Sequence, residues 1–242
     1  MTGGGRGIGR AIVDRLHRDG FNVLTCGRSA RPQDLPSDIL WVQADVASPA
    51  DAQEIVARAI ERFGGISVLV NNAGVQLEKT VQESSDEDWD RLIGTNCRGV
   101  FNMSRAVLPF MAQAGGTIVN LGSTSGFASD GRMALYNASK GFVHALTRSL
   151  AVDHGPKVRC NAISPGWIMT EMAEAGFALA SDPSRAREDA LKRHPVKRFG
   201  TPQDVANAVS WLISDEASFM TGQCLVIDGG LLAASPLQPG LT

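Results

Sequence analysis

The segment from Tyr136 to Lys140 places a phenol and an ammonium four residues apart, a spacing that puts both groups on one face of a helix. A free tyrosine has a pKa of about 10 and is a poor base at neutral pH. A fixed ammonium favours the phenolate, so the pattern predicts a lowered pKa for Tyr136 and a role as general acid and base. Tyr136 is also the only tyrosine in the chain. The structural alternative is an interfacial tyrosine beside a lysine whose stem covers apolar surface, because Tyr-x-x-x-Lys alone is a common pattern.

Two further polar positions interrupt an apolar pattern. Ser123 follows the strand-like run 117–121, and open α/β sheets bind ligands beyond the carboxyl ends of their strands. Its hydroxyl could hydrogen-bond a substrate oxygen, although Ser125 is a rival and serines in such loops are often turn formers. Asn96 lies on the apolar stripe of a helical segment over 89–111, where an unpaired buried amide costs ~1–3 kcal/mol. Asn96 is therefore expected to belong to a buried polar network, with a satisfied core amide as the alternative.

A glycine-rich stretch, Gly3-Gly4-Gly5-Arg6-Gly7-Ile8-Gly9, precedes the amphipathic helical segment 10–16. Glycines let the backbone turn tightly and approach a pyrophosphate, whose charge then lies at the N-terminus of the helix. The spacing Gly3-x-x-x-Gly7-x-Gly9 departs from the strict Gly-x-Gly-x-x-Gly pattern. The stretch favours a dinucleotide site, with a merely glycine-rich turn as the alternative.

The choice of nicotinamide cofactor is predicted from the residues after the next strand-like run, 21–26. In sites that prefer NAD, a carboxylate near the end of that strand accepts hydrogen bonds from the ribose 2′-OH. This chain has Arg28 instead, whose guanidinium suits a 2′-phosphate, and Arg6 could add a second contact. NADP(H) is favoured and NAD(H) stays possible, because Arg28 could equally be an ordinary solvated surface arginine.

Two short segments after other strand-like runs complete the candidates. Residues 71–74, Asn-Asn-Ala-Gly, are small enough for a close-passing ligand, while their asparagines could equally fasten neighbouring strands. The pair Asp45-Val46 could meet an adenine ring, or Asp45 could simply cap the helix that follows.

These residues must be positioned by alternating strands and helices. Short apolar runs, the strand signal, occur at 21–26, 40–43, 66–71, 117–121, 158–163 and 224–227. Between them, apolar residues recur three and four positions apart, as on one face of a helix. The alternation predicts a Rossmann-like α/β fold, a doubly wound parallel β-sheet with helices on both faces in a three-layer αβα arrangement.

The 242 residues are expected to form a single domain over 1–242, because no linker or repeat divides them. Pro165-Gly166 and the turn at 200–202 enclose a less regular stretch, which is expected to be a substrate lid at about 167–199. Thr201 and Pro202 are expected to cap and begin a helix. The apolar residues of the lid, which could line a pocket or pack on the body, are Trp167, Met169, Met172, Phe177 and Leu179.

Composition excludes several classes of function. Lysine and arginine number 23 against 25 aspartates and glutamates, a net charge of −2 without a basic run, so neither nucleic acid nor a membrane surface is an expected partner. No apolar stretch approaches the ~18 residues of a membrane span. The four cysteines form no Cys-x-x-Cys pair, and the four histidines lack metal-ligand spacing. A cytoplasmic protein with reduced thiols and no metal is expected.

Together and in this order, the motifs resemble the short-chain dehydrogenase/reductase family in its single-domain form of about 250 residues, and are similar to its 3-oxoacyl-ACP reductase-like members. The resemblance covers nearly the whole chain, from the glycine stretch to the ending Asp228-Gly229-Gly230. Ser123 and Tyr136 are thirteen residues apart, the spacing this family uses, which favours Ser123 over Ser125. The resemblance implies an NADP(H)-dependent oxidoreductase that interconverts a ketone or other carbonyl and a secondary alcohol by hydride transfer.

The resemblance implies four catalytic residues. Tyr136 would donate a proton to the carbonyl oxygen as hydride arrives, and accept it in the reverse direction. Lys140 would lower the pKa of Tyr136 and hold the ribose hydroxyls of the nicotinamide half. Ser123 would orient the substrate oxygen, and Asn96 would hold a water that links Lys140 to solvent.

The resemblance also implies the cofactor contacts and the assembly. Besides Tyr136 and Lys140, the implied contacts are Gly3, Arg6, Gly7, Ile8 and Gly9 at the pyrophosphate, Arg28 at the 2′-phosphate, Asp45 and Val46 at the adenine, Asn72, Ala73 and Gly74 on the adenosine side, and Pro165, Gly166, Ile168 and Thr170 in the segment that meets the carboxamide. The helices near 89–111 and 134–153 resemble the family's usual tetramer interface, so a homotetramer, or a homodimer, is expected.

One departure from the family pattern concerns the first strand. The family begins with a short apolar strand before the glycine motif, whereas here only Met1 precedes Thr2. The expectation is that this strand is missing and that two neighbouring strands have unpaired backbone groups across a gap. Such a gap favours an alternative function, a catalytically silent NADP-binding scaffold or redox-sensing module, whereas the intact catalytic set favours an enzyme.

The sequence leaves the substrate open. A 3-oxoacyl thioester, a sugar, a steroid or a small ketone all fit, and fold analogy does not choose among them. Halide-releasing relatives that bind no nucleotide are disfavoured, because they place an arginine at the position of Lys140 and lack the glycine-rich loop.

Overall fold

The structure, a computed structural model, describes residues 1–178 and 180–234, except for the side chain of Met172. The strands in these residues are β1 (Leu24–Gly27), β2 (Leu40–Gln43), β3 (Val68–Asn71), β4 (Gly116–Leu121), β5 (Val158–Pro165) and β6 (Cys224–Ile227). The α-helices are α1 (Gly7–Arg18), α2 (Pro49–Phe63), α3 (Asp86–Ile93), α4 (Gly99–Ala114), α5 (Ala134–His154), α6 (Glu171–Ala178), α7 (Pro183–Lys192) and α8 (Pro202–Ile213). None of the helices in this part of the chain is long and apolar enough to span a bilayer.

Every paired strand runs parallel to its neighbour, which confirms the predicted α/β class. Strand β1 pairs with β2, while β3, β4, β5 and β6 form a second group in that order. Within the described residues no strand lies between β1 and β3, as the sequence led us to expect. Met1 and Thr2 are inserted there: the Met1 amino group donates to the Leu24 carbonyl at 2.7 Å, and the Thr2 N–H donates to the Val70 carbonyl at 2.9 Å. Both groups of strands are therefore joined through these two residues, and the expectation of unpaired backbone groups across a gap is wrong for the Leu24 and Val70 carbonyls.

Helices cover the two faces of the sheet and form two cores. On one face α2, α4 and α5 bury side chains such as Met103 and Met111 against β3, β4 and β5. On the other face α1 and α8 bury Ile12, Val209 and Leu212 completely. A fully buried side chain of this size contributes about 1.5–3 kcal/mol relative to an exposed one. The sheet is thus held from both sides, and the loops at its carboxyl edge project from a rigid frame.

The start of α8 agrees with the sequence prediction. The Thr201 hydroxyl accepts the Asp204 N–H at 3.3 Å, and the Asp204 carboxylate accepts the Thr201 N–H at 2.8 Å, with Pro202 in the first turn. This reciprocal capping satisfies two backbone donors that the helix cannot pair internally.

The long helical segment predicted over 89–111 is not one continuous α-helix. Helix α3 ends at Ile93, a π-helical turn covers Gly94–Arg98, and α4 begins at Gly99. Such a turn contains one residue more than an α-helical turn, and π-turns of this kind are frequent at functional sites. The apolar periodicity continues on both sides of the turn, so the pattern could not reveal the insertion. Asn96 lies in its middle and is 2% exposed.

The stretch predicted as a lid contains α6 and α7, and its ends are joined. The Met169 N–H donates to the Gly200 carbonyl, and the Gly200 N–H donates to the Trp167 carbonyl, both at 2.9 Å. The Trp167 ring stacks on that of Phe177 at 4.8 Å between centroids. Two of the apolar residues named for this stretch lie outside the description, Leu179 and, for its side chain, Met172. That residues 167–199 act as a substrate lid stays a prediction.

Candidate active site

Helix α5 carries Tyr136 and Lys140 on the face that packs against the end of β4. Lys140 is buried, and its ammonium donates a hydrogen bond of 2.8 Å to the carbonyl of Leu121, the last residue of that strand. The same ammonium lies 5.5 Å from the centroid of the Tyr136 ring. The predicted pairing of phenol and ammonium on one helical face is therefore present, and it lies at the carboxyl edge of the sheet.

The electrostatics of this pair differ from the sequence expectation. The pKa of Tyr136 is raised, because burial disfavours the phenolate; a hydrogen bond with Ser123 lowers it, and the charge of Asp130 raises it further. Burial also lowers the pKa of Lys140 to about 8. The expected lowering of the Tyr136 pKa by Lys140 is therefore wrong, because burial is the largest influence on this pKa and the opposing influence comes from Ser123. A raised pKa keeps the Tyr136 phenol protonated at neutral pH.

Ser123 and Ser125 have different partners, which separates the two rivals. Ser123 is buried in the loop after β4, and its hydroxyl lies close enough to the Tyr136 phenol to lower the pKa of that group. The Ser123 oxygen also accepts the N–H of Ser125 at 3.1 Å, which fixes it at the start of a short 3₁₀ turn. The Ser125 hydroxyl instead donates to the Asp130 carboxylate at 3.3 Å. Ser123 is thus the serine that lies beside Tyr136.

The side-chain oxygen and amide of Asn96 both form hydrogen bonds within the protein. Its side-chain oxygen accepts the Val75 N–H at 2.9 Å, and its amide donates to the Val75 carbonyl at 2.9 Å and to the Ser139 hydroxyl at 3.1 Å. Ser139 in turn donates to the backbone carbonyl of Tyr136 at 2.7 Å. The expected buried polar network exists, and it connects the π-helical turn to α5 one residue before Lys140. That Asn96 holds a water stays a prediction.

The glycine stretch forms a tight loop that enters α1. Gly3 and Gly7 have φ values of +71° and +55°, which side-chain-bearing residues rarely adopt. A Cβ atom on Gly9 would collide with the Gly3 carbonyl oxygen. Helix α1 begins at Gly7, and its first N–H groups provide the partial positive charge that an anion requires. A dinucleotide pyrophosphate therefore fits this loop, with Ile8 in the first helical turn.

Residues 72–74 hold the glycine loop against the site. The Asn72 side chain donates to the carbonyls of Thr2 and Gly3 at 3.1 and 3.0 Å, and the Ala73 N–H donates to the Thr2 hydroxyl at 3.0 Å. A Cβ atom on Gly74 would lie 3.5 Å from the Asn96 side-chain oxygen. Asn72 thus fastens the glycine loop, and the small residues link the loop to Asn96. The alternative that the asparagines fasten neighbouring strands is confirmed by Asn71, whose side-chain amide donates to the Asn120 side-chain oxygen at 2.9 Å and joins β3 to β4.

Arg28, the residue expected to favour NADP(H), follows β1 directly. It is exposed, and its backbone carbonyl accepts the Gln43 side-chain amide at 2.9 Å, which holds the turn after Gly27. Arg6 directly precedes α1 and is also exposed. Its guanidinium lies 3.5 Å from the Glu171 carboxylate of α6. Both guanidinium groups are therefore near the glycine loop or the strand end next to it, and exposed enough to reach a phosphate.

Asp45 and Val46 form the turn between β2 and α2. The Asp45 carboxylate accepts the Ala47 N–H at 2.9 Å, and the Asp45 N–H donates to the Asp51 carboxylate at 2.7 Å. The cap of α2 is Ser48 and not Asp45, so that alternative is wrong. Val46 is buried, and contact of these two residues with an adenine stays a prediction.

The segment after β5 closes the site on the side of the glycine loop. A Cβ atom on Gly166, which follows Pro165, would lie 2.9 Å from the Asp228 Cα, so the chain passes too closely for a side chain. Ile168 is buried and pairs with Gly200. A Cβ atom on Gly7 would lie 3.6 Å from the Thr170 methyl group, which places Thr170 over the glycine loop.

Several residues that sequence reasoning missed also belong to this arrangement. Thr2 and Ser139 form hydrogen bonds to Asn72 and Asn96. Asp130 accepts a hydrogen bond from Ser125, and its charge raises the pKa of Tyr136. His144 and Ser164 form a buried pair that packs against the Ser123 loop. A polar residue on an apolar helical face, the signal that identified Asn96, could also have identified His144. In residues 1–178 and 180–234, no group of three or more histidine, cysteine, aspartate or glutamate side chains is placed to hold a metal ion.

Comparison with known proteins agrees with this geometry. The family model described as Enoyl-(Acyl carrier protein) reductase matches residues 3–232. The 3-oxoacyl-[acyl-carrier-protein] reductase FabG of Thermotoga maritima is 36% identical over 242 residues, which cover 96% of each chain. The chain belongs to the short-chain dehydrogenase/reductase family.

Solved structures of this family superimpose closely. The ligand-free aldohexose dehydrogenase of Thermoplasma acidophilum has a TM-score of 0.91 and 34% identity, and covers 98% of this chain and 94% of its own. The 3-ketoacyl-(acyl-carrier-protein) reductase of Brucella melitensis, complexed with NADH, has a TM-score of 0.85 and 30% identity, with coverage of 95% and 96%. The chain is thus a Rossmann-like, NAD(P)-dependent oxidoreductase of carbonyl and alcohol groups.

Proposed function

We propose that this enzyme reduces a ketone to a secondary alcohol with NADPH, and catalyses the reverse reaction with NADP⁺. Tyr136 is the general acid in reduction and the general base in oxidation. The observation that carries the proposal is the buried ammonium of Lys140, bonded to Leu121 at the end of β4 and 5.5 Å from the centroid of the Tyr136 ring, with Ser123 close enough to lower the pKa of the Tyr136 phenol. Two hydroxyls that converge at the carboxyl edge of a parallel sheet can both hydrogen-bond one carbonyl oxygen.

The chemistry divides between the cofactor and the side chains. A dihydronicotinamide held by the glycine loop and Lys140 would supply the hydride for the carbonyl carbon. Tyr136 gives its phenolic proton to the carbonyl oxygen, so that hydride and proton together convert the ketone to the alcohol. Ser123 donates to the same oxygen and stabilises the negative charge that develops on it. Lys140 stabilises the phenolate that Tyr136 becomes, and its charge is available at neutral pH because its pKa is about 8.

We propose the same residues for holding the cofactor as the sequence implied. The glycine loop and the first turn of α1 would hold the pyrophosphate, and Lys140 the ribose of the nicotinamide half. Pro165, Gly166, Ile168 and Thr170 would line the carboxamide side. Arg28, with Arg6, favours NADP(H) over NAD(H), because an exposed guanidinium pairs with a 2′-phosphate in a bidentate manner. The NADH in the Brucella melitensis relative belongs to that protein and leaves NAD(H) as the competing choice.

We propose a homotetramer, with a homodimer as the smaller assembly, that acts in the cytoplasm on a small-molecule substrate. Large apolar side chains are exposed along α4 and α5, including Phe101, Phe110 and Phe142 at 45, 41 and 40%. Exposed apolar side chains grouped on two neighbouring helices favour contact with a second copy. Scattered reduced cysteines favour the cytoplasm.

The variant Tyr136→Phe tests the proposal. It removes the acidic proton and keeps the ring, so the rate of NADPH oxidation with a reactive ketone should fall by about 10²–10⁴-fold. NADPH binding, followed by energy transfer from tryptophan, should change little and is the control. A panel of 3-oxoacyl thioesters, sugars, steroids and small ketones supplies the substrate. Turnover that survives the substitution would overturn the assignment of Tyr136.

The same experiment distinguishes the silent scaffold. A wild-type chain that binds NADPH tightly but reduces no member of the panel would favour a cofactor-binding module without catalysis. A chain that binds neither NADPH nor NADH would contradict the cofactor assignment itself.

A further inference from the structure

His144 lies on α5 one helical turn beyond Lys140. It is 4% exposed, and its Nε2 atom is 2.8 Å from the hydroxyl of Ser164. Ser164 is itself fully buried near the end of β5, directly before Pro165 and Gly166. The histidine therefore connects the helix of Tyr136 and Lys140 to the strand that leads into the proposed carboxamide segment.

The loop that carries Ser123 rests on the ring of His144. A Cβ atom on Gly122 would lie 2.6 Å from His144 Nε2 and 2.8 Å from the Ser164 hydroxyl. A Cβ atom on Gly126 would lie 2.7 Å from His144 Nδ1. Glycines thus occur on both sides of Ser123, where the backbone touches the imidazole. The ring of Phe127 completes this contact at 4.4 Å between centroids.

The imidazole is neutral over the physiological range. Burial, with the charges of Lys140 and Arg148, lowers the pKa of His144 to about 4. A neutral imidazole has one donor and one acceptor, so it can bond Ser164 without adding a second charge beside Lys140. Its charge is then constant over the neutral pH range.

We propose that His144 is a positioning residue for Ser123, which it holds by supporting the loop 122–127 and by its hydrogen bond to Ser164. The proposal rests on the proposed function, because it concerns the serine that orients the substrate oxygen. The hydrogen bond to Ser164 fixes the orientation of the imidazole, and contact with the imidazole fixes the position of the backbone at Gly122 and Gly126. Loss of either lets the Ser123 hydroxyl move away from Tyr136, and a displacement of about 1 Å can cost about 10²-fold in rate.

A double-mutant cycle between His144 and Ser123 tests the proposal. His144→Leu should lower kcat for ketone reduction by about 10- to 100-fold and leave the KM for NADPH within about twofold. Ser123→Ala should lower kcat by a similar or larger factor. The double variant should be no slower than Ser123→Ala alone, because a serine that is absent cannot be misplaced.

Two further variants separate positioning from packing. His144→Gln can still bond Ser164 and should recover kcat to within about threefold of the wild type. Thr147→Val is the matched control, since Thr147 is also fully buried on α5 but bonds Val143 and Asn120 rather than the loop. Any loss of kcat that it causes should multiply with that of Ser123→Ala.

The proposal would be overturned if the losses of kcat caused by His144→Leu and by Ser123→Ala multiply in the double variant. If His144→Leu does not fold, Ser164→Ala removes the same hydrogen bond with a smaller change in volume, and the same cycle applies to it. A failure of the proposed function is distinguishable: the wild type would then reduce no ketone. In that case amide hydrogen exchange of residues 122–127 still tests whether His144 supports the loop. His144→Leu should increase the exchange rate of these amides. An unchanged rate would contradict the proposal.

Discussion

The ammonium of Lys140 donates a hydrogen bond of 2.8 Å to the backbone carbonyl of Leu121. This bond ties the helix that carries Tyr136 to the carboxyl end of β4, from which the Ser123 loop departs. It also takes the ammonium out of water, and burial lowers the pKa of Lys140 to about 8. The group proposed to stabilise the phenolate is thus buried at a cost in stability of the folded chain.

That cost predicts a dependence of stability on pH. Between pH 8 and the model-peptide value of 10.5, Lys140 is neutral in the folded chain but still protonated in the unfolded chain. The unfolded state then binds more protons, so the contribution of this group to the free energy of unfolding rises with pH, by up to about 3 kcal/mol. Below pH 8 both states are protonated and the contribution is constant.

Urea denaturation of the wild type and of Lys140→Met at several pH values between 7 and 10.5 measures this effect. The variant removes the titration but keeps most of the stem, and contributions of groups that Lys140 does not influence, such as the buried Cys160, cancel in the difference. The wild type should gain stability relative to Lys140→Met as pH rises above 8. A difference that does not change with pH would contradict the lowered pKa.

Ser123 and Ser125 should respond differently to removal of the hydroxyl. Ser123→Ala deletes a donor to the proposed oxyanion and should lower kcat by about 10²–10³-fold. Ser125→Ala removes only the bond to the exposed Asp130 carboxylate, so its kcat should change by much less. Steady-state rates of NADPH oxidation with one ketone compare the two variants directly. The assignment fails if Ser125→Ala is the slower of the two.

Arg28 should determine the preference between the two nicotinamide cofactors. Arg28→Asp replaces a partner of the 2′-phosphate with a repelling carboxylate that can accept from a 2′-OH. The ratio of NADPH to NADH affinity should fall by about 10- to 100-fold, as expected for loss of one or more charge-assisted hydrogen bonds. Titration of tryptophan fluorescence with each cofactor measures the ratio.

A matched control makes the Arg28 result specific. Arg58→Asp produces the same change of charge on the exposed surface of α2, where Arg58 lies near Glu54 and Glu61. Its ratio of affinities should stay at the wild-type value. An equal shift in both variants would assign the effect to net charge rather than to Arg28.

A methyl group added at Gly9 should lower the stability of the fold, whereas one added at Gly141 should raise it. Gly9→Ala pushes a Cβ atom into the Gly3 carbonyl and to 2.5 Å from the Asn72 amide, so it should distort the glycine loop. We expect a loss of about 1–3 kcal/mol in the free energy of unfolding and a loss of NADPH affinity above about tenfold. A Cβ atom on Gly141 would meet nothing within 4 Å outside its own turn of the helix, so Gly141→Ala should stabilise α5 by about 0.5–1 kcal/mol. Urea denaturation and cofactor titration measure both, and NADPH binding by Gly9→Ala at wild-type affinity would contradict the loop assignment.

Much of the candidate site follows from residue types and their order. The phenol and ammonium four residues apart, the serine thirteen residues earlier and the glycine loop before a helix are local patterns, and their family resemblance is specific. The one-face placement of Tyr136 and Lys140 needs only the geometry of an α-helix. The parallel α/β class likewise follows from alternating periodicities, because each periodicity buries one face of its own element.

The remaining features depend on contacts between segments that are far apart in the chain. The π-helical turn at Asn96 is invisible to periodicity, and its reason is tertiary: the side chain bonds Val75 and Ser139, 21 and 43 residues away. The raised pKa of Tyr136 reverses the expectation from its neighbour Lys140, because burial is set by the packed structure and not by spacing. The sequence by itself determined which chemical groups the chain possesses and the order of the elements that carry them. Only the tertiary structure decided which partner each buried polar group has, since hydrogen bonding and desolvation depend on distances that close when the chain is folded.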